Sequence, residues 1–412
     1  MWPQYVLMHP GELRIQDFSY ELPEHRIAQE PLPERDASKL LHYRDGQVQD
    51  QIFRDLPNIL PANSLLLFNN TRVVRARLLF PKQSGATVEL FCLEPLQPTA
   101  ELQQAMLQKG EASWLCMIGN NRRWKEGVLL LSAGGITLTA SRVRALGDAW
   151  EVRFSWTPRE LSFAELLEQL GHIPLPPYMH RPDSQLDAER YQTVFARYDG
   201  SVAAPTASLH FSEHVLAELK HSGIEQQELT LHVGAGTFKP VKAATMAEHD
   251  MHREELLIDT ALIDRLLTHD GPIIPVGTTA LRCVESLYWM GALLLKEDAD
   301  LPEIHQFTPY EFEHPPTIKE ALTRLKHQLT KLGDARVPAF TALMIAPGYQ
   351  FRIADALITN FHQPNSTLLL LVSAAIGNAW KQVYEHALAN DYRFLSYGDS
   401  SLLWIDSQAK TA

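Results

Sequence analysis

Histidines at strand ends and turns are the first residues here that could do chemistry. His210, His232, His249, His252 and His362 are candidate acids and bases, because imidazole moves protons near neutral pH. His210 closes the small-residue segment Ser201-Val202-Ala203-Ala204-Pro205-Thr206-Ala207-Ser208-Leu209-His210-Phe211, which also carries Thr206. A histidine beside a phenylalanine is equally read as a packed residue. His232 enters Leu231-His232-Val233-Gly234-Ala235-Gly236-Thr237-Phe238, where Gly234 and Gly236 would let backbone N–H groups approach a ligand closely. The rival reading is a tight turn. His249 and His252 stand in Glu248-His249-Asp250-Met251-His252-Arg253-Glu254, and helical spacing would put both imidazoles on one side. That arrangement suits a divalent metal, but no third ligand is near and the order is not His-Glu-x-x-His, so no metal site is assigned. His362 belongs to Thr359-Asn360-Phe361-His362-Gln363-Pro364, whose polar groups leave a buried-looking strand and are expected to line a pocket.

Two further patterns bind rather than react. Pro275-Val276-Gly277-Thr278-Thr279 leads into Leu281, Arg282, Val284 and Leu287 at helical spacing. A strand, a Gly-Thr-Thr turn and a helix start form a cradle for a carboxylate or for ribose hydroxyls, unless the threonines only cap the helix. Arg72, Arg75 and Arg77, with Arg122, Arg123, Lys125, Arg142 and Arg144 and Trp124 among them, read as a nucleic-acid surface or as a solvated sheet face.

These groups need elements to hold them. With 412 residues, 45% hydrophobic and 21% charged, the chain has the composition of an ordinary folded protein of two domains. Its net charge of -12 excludes nucleic-acid binding through the whole surface, so any such contact is local. The longest apolar run, around 368–376, is interrupted by Ser373 and falls short of the ~20 residues of a membrane span. Neither a leader nor a membrane segment is recognised, and Cys92, Cys116 and Cys283 are odd in number and scattered, so reduced thiols in the cytoplasm are expected. Short apolar runs at 88–93, 114–118, 128–131 and 150–154 predict a small all-β unit from 73 to 156. Strands are expected at 65–68, 229–233, 273–276 and 356–359, with helices after the last two, so the second half reads as α/β. Ser162 with Glu165, and Thr317 with Glu320, are capping boxes ahead of amphipathic helices that end at Gly171 and Gly333.

Taken together, several blocks resemble the S-adenosylmethionine:tRNA ribosyltransferase-isomerase family of queuosine biosynthesis. They are Ile27-Ala28-Gln29-Glu30-Pro31-Leu32-Pro33-Glu34-Arg35-Asp36, Phe68-Asn69-Asn70-Thr71-Arg72, Tyr191-Gln192-Thr193-Val194, Ala204-Pro205-Thr206, Gly234-Ala235-Gly236-Thr237-Phe238, Thr359-Asn360-Phe361-His362 and Ser396-Tyr397-Gly398-Asp399, in the family's order. The resemblance implies a mixed α/β, barrel-like major domain, residues 1–72 and 157–412, interrupted by a β-barrel domain at 73–156. It also implies S-adenosylmethionine as a consumed substrate with no cofactor, tRNA carrying preQ1 as acceptor, epoxyqueuosine, adenine and methionine as products, and a cytoplasmic monomer that touches no membrane. On this reading Thr206, Thr237, Thr278, Thr279 and Asn360 orient ribose and methionyl groups, and Arg35, Arg72 and Arg282 meet phosphate or carboxylate. Asn70, Thr71, Gly234, Gly236 and Thr359 are further substrate-binding positions within the blocks.

The chain departs from the family at Ser208, where glycine is usual, at Ala280-Leu281 and at Ala375-Ile376, and residues 290–342 form a longer connection with an added helix. Four alternatives stand beside the main reading. They are a paralogue using the same donor on another acceptor, a catalytically silent nucleotide- or RNA-binding protein, a metal-assisted hydrolase using His249 and His252, and a conventional methyltransferase using the Gly234-Ala235-Gly236 turn.

Overall fold

Four strands at the centre of the larger unit run the same way, and three of them, Leu65–Asn69, Ile273–Val276 and Ala356–Asn360, are buried at every residue, whereas Glu225–His232 is buried only over its last four. Strands covered on both faces have no solvent side to alternate with. The structure is a computed structural model describing residues 9–82, 84–234, 243–297, 300–334 and 336–410. Within it Leu65–Asn69 pairs in parallel with Glu225–His232 on one side and with Ile273–Val276 on the other, and Ile273–Val276 pairs in parallel with Ala356–Asn360. The carboxyl ends of these strands consequently lie at one edge of the sheet, where open α/β sheets bind their ligands. The full sheet has nine strands, in the order Val337–Thr341, Glu254–Ile258, Glu225–His232, Leu65–Asn69, Ile273–Val276, Ala356–Asn360, Ser400–Trp404, Lys39–Arg44 and Gln47–Ile52. Strands from opposite ends of the chain, Lys39–Arg44 and Ser400–Trp404, lie side by side in parallel.

The smaller unit is a six-stranded antiparallel sheet ordered Arg77–Pro81, Thr87–Gln97, Glu111–Gly119, Ala149–Thr157, Ile136–Leu146 and Leu129–Ala133, with the first and last strands curling back toward one another as a nearly closed barrel. Its core does not stop at residue 156. The helix Phe163–Leu170, capped by Ser162 and Glu165 as its sequence predicts, buries Phe163, Leu166, Leu167 and Leu170 against the barrel. The Phe163 ring stacks on Trp114 at 4.8 Å.

One expected element is absent. After the short turn Met246–Glu248 the backbone through His249 is extended, and Glu254–Ile258 is a strand, so His249 and His252 do not share a helix face. The alternation that wins is Glu254, Leu256 and Ile258, every second residue, pointing inward. The added helix, by contrast, forms as Ile318–Leu332 with Thr317 as cap and Gly333 left-handed at φ 75°. Leu322, Leu325 and Leu329 bury in the main core. The helix lies against Thr278–Lys296 so closely that a Cβ on Gly291 would come 2.0 Å from the Ala321 carbonyl oxygen.

Candidate active site

The strand ends open into one cavity of about 390 Å³, in the range of small-molecule sites. Small residues make the room: Ala203, Ala204, Pro205 and Ala207 form one wall where bulkier side chains would fill it. Thr206, Thr278, Thr279, Arg282, Thr359, Asn360, His249, His252 and His362 all line it, so segments more than a hundred positions apart meet here. Among the described residues none from 290 to 342 does, and the added helix packs on the helices Thr260–Thr268 and Thr278–Lys296, away from the cavity.

Asn360 organises one side. The Thr206 hydroxyl donates to Asn360 Oδ1 at 2.9 Å, and Asn360 Nδ2 donates to His210 Nε2 at 3.2 Å. A nitrogen that accepts leaves its ring partner to carry the hydrogen, so His210 Nδ1–H points to the Ser38 hydroxyl at 2.9 Å. Burial, with help from Arg393 and Arg35, pushes His210 down to about 3, which keeps that tautomer neutral. His210 therefore stands behind Asn360 and outside the large cavity.

A charged group occupies another side. Arg282 and Glu254 are 6% and 2% exposed and form an ion pair, and Arg282 Nε donates to the Leu343 carbonyl at 3.0 Å. Burial alone would raise Glu254, but Arg282 and His252, whose Nε2 is 3.1 Å from Glu254 Oε1, bring it down to about 2. Arg282 Nη2 is buried and, among the described residues, has no hydrogen-bond partner. One turn earlier the helix Thr278–Lys296 begins at Gly277, which has φ 93° and no capping side chain, so first-turn N–H groups are left for a ligand. This cradle suits a carboxylate.

The third side is the Thr359 and His362 pair, with Oγ1 and Nε2 at 3.0 Å. Burial pushes His362 down to about 3, and the strand beneath it is fixed by the Ser401 hydroxyl donating to the Thr359 carbonyl at 2.9 Å. His249 is likewise lowered, by burial and by His252. Tyr178 and Tyr191 also line the cavity; the Tyr178 hydroxyl is 2.5 Å from the Ser396 hydroxyl, and burial raises it to about 12. Tyr178, Ser396 and Glu254 were not singled out from sequence. Ser396 and Tyr191 lie in the quoted blocks, and Glu254 had a signal of its own, an acid in phase with Leu256 and Ile258.

Other candidate positions are engaged elsewhere. His232 is pushed down to about 4 by burial and rests its Nδ1 3.2 Å from the Thr71 hydroxyl, which is 2.6 Å from the Ser201 hydroxyl. Asn70 donates to Glu228 at 2.9 Å and accepts from Thr230 at 2.7 Å. Arg35 donates to the carbonyls of Gln192 and Glu189 at 2.9 and 3.1 Å, and Arg72 faces Asp199 at 3.6 Å. Gly234 lies beside His252, with 4.0 Å between its would-be Cβ and the ring, while Gly236 and Thr237 fall outside the described residues. On the barrel, Arg122, Arg123 and Lys125 are exposed, but Trp124 is 1% exposed and offers no stacking surface. Its Nε1 donates to the Gly127 carbonyl at 3.0 Å and Arg142 covers its ring at 4.4 Å. Arg77 and Arg144 pair with Glu89 and Glu151 at 2.8 and 2.7 Å.

Comparison with known proteins agrees with the blocks. Residues 15–403 match the family described as queuosine biosynthesis protein. The S-adenosylmethionine:tRNA ribosyltransferase-isomerase of Dechloromonas aromatica is 38% identical over 405 residues, spanning 97% of this chain and 99% of the relative. The protein of that name from Xylella fastidiosa strain M23 is 39% identical over 398 residues, spanning 95% and 98%. A crystal structure of S-adenosylmethionine tRNA ribosyltransferase from Thermotoga maritima is 24% identical, covers 94% of this chain and 99% of its own, and has a TM-score of 0.44. With a family match over residues 15–403 and relatives aligned along almost their whole length at more than a third identity, the chain belongs to the queuosine biosynthesis protein family.

Proposed function

We propose that this protein moves the ribosyl part of S-adenosylmethionine onto the aminomethyl group of preQ1 at the wobble position of tRNA and isomerises it, giving epoxyqueuosine, adenine and methionine. The observation that carries the reading is a single cavity combining a carboxylate cradle, hydroxyl and amide groups for a ribose, and imidazoles. The cradle of Arg282 and the first turn after Gly277 takes the methionyl carboxylate. Thr206, Asn360 and Thr278 orient the ribose, where a fixed position contributes more than basicity. His249 and His362 are the cavity imidazoles that burial holds neutral, the form that can take the proton next to the sulfonium. His210 is a positioning residue. No residue of the cavity is assigned to a metal.

Incubating the purified protein with S-adenosylmethionine and preQ1-containing tRNA is expected to release adenine and methionine together. S-adenosylhomocysteine in their place would mean methyl transfer, and binding of both substrates without adenine would mean a silent binding protein. Activity lost on chelation would return the metal-assisted alternative.

Asn360→Ala is expected to lower kcat/KM by about 100-fold, since misplacing a substrate group by an ångström carries that order of loss. It leaves the Thr206 hydroxyl and His210 Nε2 without their partner, at a folding cost of about 1–3 kcal/mol. Steady-state kinetics beside urea denaturation checks both. An unaltered kcat/KM would show that Thr206 does not need Asn360 to meet the ribose.

A further inference from the structure

Next to the large cavity, and sharing Ser396 with it, is a niche of about 20 Å³ walled by Arg35, Arg190, Arg393, Ser38 and His210. Three guanidinium groups converge there, in a protein whose net charge is -12. They are close enough to repel: Arg190 depresses Arg35, after burial, and both Arg393 and Arg35 depress His210. Among the described residues no carboxylate pairs with Arg35 or Arg190. Arg190 instead donates to the carbonyls of Leu32 and Pro33 at 2.6 and 3.1 Å, and its Nε is buried with no partner among the described residues. Arg393 has Asp399 at 3.9 Å, but that carboxylate already accepts the Lys39 and Arg393 backbone N–H groups at 2.9 and 2.7 Å.

Clamping loops explains the carbonyl contacts and does not explain the charge. A neutral amide holds a carbonyl as well, whereas packing three cations around one occupied carboxylate is unfavourable until an anion arrives. All three side chains are half-buried, so they reach the surface, and the niche itself has room for about one water, which places the anion at its mouth. Planar guanidinium groups match phosphate oxygens in pairs.

We propose that Arg35, Arg190 and Arg393 dock one phosphodiester of single-stranded RNA, placing the adjoining nucleotide in the large cavity. This rests on the proposed function, since it locates the backbone of the same RNA whose base is modified. The site also touches the chemistry. Ser38 and His210 belong to both the niche and the chain that ends at Asn360 and Thr206, so docking and ribose positioning share one wall.

The test compares Arg190→Gln, Arg393→Gln and Arg190→Lys, because glutamine keeps a donor for the carbonyl clamps and removes the charge. The KM for tRNA, its dependence on salt and the KM for S-adenosylmethionine are measured together. Each glutamine variant is expected to raise the tRNA KM about tenfold and to flatten the log–log salt slope by about 0.7, the value for one phosphate contact to a single strand. The KM for S-adenosylmethionine stays within twofold, and lysine restores most of the slope. An unchanged tRNA KM and slope overturns the proposal, and so does an equal loss for both substrates, which would be collapse of the Pro31 to Arg35 loop. If the unaltered protein releases no adenine, the proposed function fails on its own. Equilibrium binding of an anticodon stem-loop RNA to the same variants then still reads the arginines directly, and equal affinity and salt slope across them rejects the docking site.

Discussion

Arg282→Ala is expected to cost about 3–5 kcal/mol of folding stability and to abolish donor turnover in the same protein. Glu254 is 2% exposed and its carboxylate is held at about 2 only because Arg282 and His252 offset its burial. Removing the guanidinium strands a buried charge, which must protonate or pull water into the core. The two losses have separable causes. A double variant, Arg282→Met with Glu254→Gln, removes both charges and is expected to recover most of the stability, because a buried ion pair is worth little against well-packed neutral groups. It is not expected to recover S-adenosylmethionine binding, since the Nη2 proposed to meet the methionyl carboxylate is gone. Urea midpoints and calorimetric titration with S-adenosylmethionine decide the matter. Donor affinity retained in the double variant would take the carboxylate cradle away from Arg282 and leave it to the helix start at Gly277.

The parts of this site that could be read in the sequence are those whose burial writes a local pattern. Ile273–Val276 and Ala356–Asn360 are buried throughout, and each ends at a turn marked by glycine or proline, so the strand, its end and the polar group beyond it could all be located. Gln47–Ile52 could not be located in that way, because as an outer strand it alternates polar residues on both faces. Its signal lay in the turn before it, Asp45-Gly46, where both residues have positive φ as a tight hairpin demands. The segment around His252 failed for a different reason. Two histidines three apart imitate a helix, while the period-two burial of Glu254, Leu256 and Ile258 that makes a strand starts only after them. Which imidazoles face the ligand was not legible at all. His232 and His362 each follow or end a buried strand in similar local sequence, yet one rests against Thr71 and the other lines the cavity. That difference is set by which neighbours flank each strand end, a property of sheet order and not of local spacing.

Sheet order also leaves a thermodynamic mark, because the histidines buried at and beside the strand ends favour the neutral form in the fold. His210, His232 and His362 titrate at about 3, 4 and 3 in the folded protein, each lowered chiefly by burial, against about 6.5 in an unfolded chain. A histidine lowered on folding leaves stability intact above pH 6.5; below it the unfolded chain binds protons that the native protein refuses, and stability falls. Each such group contributes about 1.4 kcal/mol per pH unit, so the three together give roughly 4 kcal/mol per unit on approaching pH 5. Glu254 and Asp187, both held at about 2, lose their contributions only below the ordinary carboxylate range and leave this window untouched. Glu285 and Asp399, both raised by burial, act the other way, since the native state takes up their protons first. Urea midpoints measured from pH 7 to pH 5 should therefore drop steeply, and His232→Gln, which removes one of the three groups and touches no residue assigned to the cavity chemistry, should cut the slope by about a third. A stability that stayed flat across those two units would mean that these imidazoles accept protons in place, and the neutral forms assigned to His210 and His362 would have to be given up.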